Sequence, residues 1–113
     1  FLVIAQNATP LAVHADYLAA IDAQAEEHVW FMGEPDGAPG DIPIPATGEW
    51  STQFYIQNLQ TIQSAGKPIF TCDYAENPAN VAQCYTNAAN LNFIEYVTTV
   101  ELNQLSNTPP PGY

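Results

Sequence analysis

A single basic side chain, Lys67, faces twelve aspartates and glutamates in 113 residues, and arginine is absent. The resulting net charge of −11 repels phosphate backbones and anionic lipid, so neither nucleic acid nor a membrane surface is expected as a partner. An intracellular sugar-phosphate enzyme is disfavoured too, because the only lysine precedes a predicted strand instead of following one. The same field favours a cationic ligand such as an amino-sugar polymer, and it also suits the solubility of an extracellular or salt-adapted protein. No apolar run approaches the ~20 residues that a membrane span requires. Cysteine is sparse: Cys72 and Cys84 are the only two, too few for a disulfide framework. In a secreted chain they could bond; in a reducing compartment they are small buried residues. His14 and His28 have no metal-binding spacing, and neither H-x-x-x-H nor C-x-x-C occurs, so no metal is expected. There is no glycine-rich phosphate loop and no G-x-S-x-G. No cofactor is expected.

What is present is an alternation of apolar runs and helical periods. Phe1-Leu-Val-Ile-Ala5 reads as a strand covered on both faces, and a chain opening on such an element suggests processing or a fragment of a longer one. Leu11, Tyr17, Leu18 and Ile21 follow at helical spacing. His28-Val-Trp-Phe-Met32 reads as a second strand. Residues 33–49 form a long loop with four prolines and four glycines, a length that is usually functional. A helix is predicted over Ser51 to Ser64, stopped by Ala65-Gly66. Pro68 to Cys72 is a third strand, Ala79 to Asn90 a third helix, and Asn92 to Val97 a fourth strand. A short turn or helix is predicted over Thr98 to Leu105. The order β-α-β-α-β-α-β-α calls for an α/β fold with parallel strands and helices packed outside. It gives one domain over residues 1–107 and a proline-rich extended tail over 108–113.

In such a fold ligands bind at the carboxyl ends of the strands. Those ends carry Gln6 and Asn7, then Glu34 and the long loop, then Asp73 and Tyr74, then Thr98 and Thr99. Glycoside hydrolysis needs two carboxylates, and Glu27, Glu34 and Asp73 are the candidates. Read on position alone, Glu26 and Glu27 look like a solvated helix terminus. Trp30, Phe31, Trp50, Tyr55 and Tyr74 are of the type that stacks on sugar faces, although most buried aromatics are core.

The ordered strings Val3-Ile-Ala-Gln-Asn7, Tyr17-Leu-Ala-Ala-Ile-Asp22, Glu27-His-Val-Trp-Phe31, Ala65-Gly-Lys-Pro-Ile-Phe70, Cys72-Asp-Tyr-Ala75 and Thr108-Pro-Pro-Pro-Gly112 resemble glycoside hydrolase family 114. These are endo-α-1,4-polygalactosaminidase-like proteins. The resemblance implies the C-terminal half of a TIM-type (β/α)8 barrel in a secreted or cell-surface hydrolase of galactosamine-containing polysaccharide. It assigns the general acid/base role to Glu27 and sugar contacts to Gln6, Asn7, Asp73 and Tyr74. The family's other carboxylate, an aspartate after the fourth strand, has no counterpart in these residues.

A whole barrel takes about 250 residues, so a half-barrel is expected to pair with its missing half or with a second copy. A non-catalytic extracellular structural or carbohydrate-binding subunit that self-assembles is the alternative. Further expectations follow. Glu27 lies near Asp73 at the barrel mouth. Cys72 turns outward, close to Cys84, if Asp73 points inward. The Asn7-Ala-Thr9 sequon stays unmodified because Asn7 occupies the mouth.

Overall fold

The computed structural model describes residues 1–34 and 36–112; Pro35 of the long loop and Tyr113 of the tail lie outside the described residues. Four parallel strands make the main sheet: β1 (Ile4–Gln6), β2 (Ala23–Glu27), β5 (Ile69–Tyr74) and β6 (Ile94–Thr98), in the spatial order β1-β2-β5-β6. Parallel neighbours need a crossover, and helices supply it. A 3₁₀ turn (Thr9–Val13) and α1 (Ala15–Ala20) link β1 to β2, α2 (Thr52–Ser64) leads into β5, and α3 (Pro78–Leu91) joins β5 to β6. The loop after β2 folds into a small antiparallel ribbon, β3 (Phe31–Met32) with β4 (Ile42–Pro43). The α/β class with a parallel sheet and flanking helices is therefore as expected.

The helix ends follow local chemistry. Ser51 caps α2 by accepting from the Phe54 N–H at 3.1 Å, and Asn77 caps α3 by accepting from Ala79 N–H at 2.9 Å, with Pro78 at the first helical position. Leu59 and Ile62 of α2, and Val81, Cys84, Tyr85 and Ala88 of α3, pack against Ile69, Phe93 and Val97 of the sheet. That packing defines two faces. Gln24, Glu26, Ile69, Thr71, Asp73, Phe93, Glu95 and Val97 are buried toward the helices. Ala25, Glu27, Phe70, Cys72, Ile94 and Tyr96 alternate with them and are half-buried or exposed. Among the described residues, nothing covers this second face.

Four sequence expectations are corrected. The first strand is not sheathed on both faces: Phe1, Leu2, Val3 and Ile4 are all exposed, because β1 is an edge strand and its inner face is the open one. The second strand is Ala23–Glu27, not His28–Met32. His28 takes a left-handed φ of 62° that ends the ladder. The apolar run after it drops into the core, with Val29, Trp30 and Phe31 all buried. No helix forms over residues 98–105. The tail is not simply extended: the Thr108 hydroxyl donates to the Val97 carbonyl at 3.2 Å, and the Tyr85 hydroxyl donates to the Thr108 carbonyl.

Gly40 shows how closely the ribbon approaches the strand that carries the site. A Cβ there would lie 2.5 Å from the Tyr74 carbonyl oxygen and 2.6 Å from its carbon, while the neighbouring Asp41 N–H donates to that same oxygen at 2.8 Å. Backbone cannot give way as a side-chain tip can. Gly40→Ala is expected to destabilise the protein by ~1–3 kcal/mol, read as a lower urea midpoint.

Candidate functional site at the strand mouth

Three adjacent strand ends converge on one carboxylate. β1 ends at Gln6, and Asn7 and Ala8 turn the chain away with φ of 59° and 58°, a conformation asparagine tolerates better than most residues. β2 ends at Glu27, and β5 ends at Tyr74. The Tyr74 hydroxyl donates to Glu27 Oε2 at 2.6 Å. The Asn7 side-chain amide donates to Glu27 Oε1 at 3.3 Å, and its oxygen accepts from the Glu27 backbone N–H at 3.4 Å. His28 completes the group, its Nε2 3.9 Å from Glu27 Oε2 and its ring edge-on to Tyr74 with centroids 5.0 Å apart.

These contacts set the charge state. The Tyr74 hydrogen bond is the largest influence on Glu27 and lowers its pKa; partial burial opposes it, and Asn7 and His28 add to the lowering. Glu27 is therefore held as a carboxylate. In reciprocal fashion, burial and then the bond to Glu27 raise the Tyr74 pKa. Tyr74→Phe is expected to raise the Glu27 pKa, followed by carboxyl-carbon NMR titration. An unchanged midpoint would show that the hydroxyl is not what holds the charge.

The open face continues from this mouth as a cavity of about 300 Å³ lined by Gln6, Phe70, Ile94 and Tyr96 among others. Cys72 also lines it, its thiol pushed up to about 12 chiefly by burial, so it is a poor nucleophile.

The structure thus brings together Asn7, Glu27 and Tyr74, with Gln6 on the same cavity. It does not bring Asp73 to them. Asp73 follows the alternation to the helix face, where it is fully buried and its Oδ1 accepts from the Trp30 and Phe31 N–H groups at 2.6 and 2.7 Å. It pins the apolar run after β2 to the core. Glu34 is exposed in the long loop. Cys72 and Cys84 are free, and they project from opposite faces, because the expected orientation of Asp73 was reversed. The Asn7 amide is already engaged with Glu27, which leaves it badly placed to carry a glycan.

Sequence reasoning missed His28 and the role of Glu26. The signal for His28 was its place directly after Glu27. Glu26 faces the helices, and burial pushes its pKa up to about 8, with neighbouring Glu27 adding to the shift. Glu95 behaves likewise, raised to about 8 by burial and by Asp73.

No family model matches the chain. An uncharacterized protein of Deinococcus radiodurans is 30% identical over 107 residues, which cover 93% of this chain and 31% of that relative. The chain therefore spans about a third of the length of the curated relative it matches.

Proposed function

We propose that this chain is the C-terminal half of a TIM-type (β/α)8 barrel in a secreted glycoside hydrolase, resembling family 114, that cuts galactosamine-containing polysaccharide. The observation that carries the reading is Glu27, a carboxylate fixed from two sides at the carboxyl end of a parallel sheet, where an α/β fold places its chemistry. The open sheet face supports the half-barrel part. In a closed barrel Phe70, Ile94 and Tyr96 become interior layers, and the greater length of the Deinococcus relative leaves ample chain to supply the other strands.

The lowered pKa of Glu27 bears on its role. As an ionised carboxylate it is ready to act as a base or nucleophile, or to stabilise the positive charge that develops at the sugar carbon. To protonate a leaving oxygen it must first take up a proton. A second carboxylate from the missing half would drive that uptake, since two carboxylates at close range cannot both ionise easily. Gln6 and Asn7 then contact the sugar, and Tyr74 orients Glu27.

The direct test is hydrolysis of an α-1,4-linked galactosamine polymer by the full polypeptide, read as new reducing ends; no release would defeat the hydrolase reading. A second measurement addresses the half-barrel. Leaving large apolar side chains such as Ile4, Phe70 and Ile94 in water forgoes ~1.5–3 kcal/mol each, comparable with a small domain's whole stability. The isolated 113-residue chain is accordingly expected to associate, seen as a dimer or larger species by light scattering. A well-folded monomer would overturn the half-barrel. Self-association without hydrolysis by the full polypeptide would favour the structural subunit instead.

A further inference from the structure

A second cleft, of about 480 Å³, lies beside Glu27 between the turn after β1, the end of β2 and the start of α2. It is lined by Thr9, Glu26, Glu27, His28, Trp50 and Tyr55 among others. Two buried polar atoms on its walls have no partner: Thr9 Oγ1 and Glu26 Oε2. Thr9 is fully buried and Glu26 is 6% exposed. Native proteins rarely leave such groups unpaired, and an orphaned carboxylate is the costliest case. This chain has no means of pairing it from within, since its one lysine lies beyond α2 and it has no arginine. Opposite stands an aromatic wall. Trp50 is 55% exposed at a left-handed φ of 56°, and its ring packs edge-on against Phe54 at 5.2 Å. A large aromatic held exposed on a strained backbone at a cleft is a ready surface for the faces of a ligand.

We infer that this cleft binds a small organic cation: a primary ammonium that donates to Glu26 and Thr9, carried on a compact ring that lies against Trp50. The ammonium supplies the donors that the buried carboxylate and hydroxyl lack, and a charge-assisted bond in a partly desolvated cleft is among the stronger ones available. The inference stands apart from the hydrolase reading, because an amine can occupy the cleft whether or not any glycosidic bond is cut.

Binding carries a proton signature. The groups facing Glu26 are Tyr17 from α1, Tyr55 from α2, and Glu27 and His28 from the end of β2. None is a permanent cation, so empty Glu26 retains its proton at neutral pH. An incoming ammonium favours the carboxylate and expels that proton. Affinity for an amine that stays protonated throughout therefore rises as pH increases from 5 towards 8.

The test is calorimetric titration of the full polypeptide with cyclohexylamine and galactosamine, with cyclohexanol and galactose as neutral counterparts. The expected result is binding of both amines and of neither neutral compound. Proton release at pH 7, measured in buffers of different ionisation enthalpy, should accompany it. Glu26→Gln, checked for native circular dichroism, is expected to weaken amine binding by about tenfold or more. Trp50→Ala serves as a second variant acting through the ring alone. Galactosamine binding without cyclohexylamine binding would overturn the general amine pocket in favour of specific sugar recognition. Neutral analogues binding equally well, or unaltered affinity in Glu26→Gln, would overturn the inference outright.

Discussion

Replacing Glu27 by glutamine in the full polypeptide is expected to cut turnover by ~10²–10⁴-fold while leaving polysaccharide binding nearly unchanged. Glutamine keeps the length of the side chain and still accepts from the Tyr74 hydroxyl, which holds it at 2.6 Å in the parent. What it removes is the charge and the proton. Steady-state kinetics on a galactosamine polymer would show the loss in kcat with little movement in KM, because the contacts from Gln6 and Asn7 remain. Retention of more than about a tenth of kcat would place the chemistry elsewhere. Asp73 supplies the contrast. It lies on the helix face, bonded to the Trp30 and Phe31 N–H groups, and Asp73→Asn preserves an oxygen able to accept both. That variant should alter stability more than kcat, which separates the pocket drawn from the sequence from the one the strand alternation builds.

The legibility of this chain varies sharply from element to element. α2 and α3 were plain, because their apolar residues recur at helical spacing and each carries a side-chain cap. β5 was equally plain, bounded by Gly66-Lys-Pro68 and the polar loop after Tyr74. β2 was hidden. Ala-Gln-Ala-Glu-Glu has a helix-forming composition, and only pairing with β5, Gln24 against Ile69 through Glu27 against Cys72, makes it a strand. The neighbouring Val29-Trp-Phe31 looked like the better strand because its residues are buried. They are buried as a loop, which Asp73 and the left-handed turn at His28 make possible. That one-element shift still put Glu27 at a strand end. The side that Asp73 faces could not be read, since a period of two fixes alternation but not which face is inner. Nor could the polar row Glu26, Thr71 and Glu95 be foreseen at the helix interface, where an apolar row is the ordinary expectation.

That row makes stability fall as pH rises. Burial raises Glu26 from 4.5 to about 8, and it raises Glu95 and Asp73 as neighbours that disfavour each other's charge. A carboxyl whose folded pKa exceeds its unfolded one binds more protons in the native state between the two values. Its stabilisation is therefore complete below about pH 4.5, declines through the window from 4.5 to about 8, and is gone above. At ~1.36 kcal/mol per unit, the shift of Glu26 sets a ceiling of about 5 kcal/mol on its contribution. Residual solvent access and structure in the unfolded chain reduce this to a few kcal/mol. Glu27 acts in the opposite sense, its lowered pKa giving stability that is lost on acidification, but it is one half-buried group against three buried ones. Growing self-repulsion among twelve carboxylates and a single lysine pushes the same way as the buried row. Thermal midpoints are thus expected to drop by roughly 10 °C or more between pH 5 and pH 8. Glu26→Gln should flatten the slope and be neutral or stabilising at pH 8, since it removes a buried acid that has no partner. A midpoint that stays level or rises across this window would mean that these carboxylates are ionised in the native state and balanced by a cation. In that event an amine seated against Glu26 should be found with the purified protein, and dialysing it away should restore the decline.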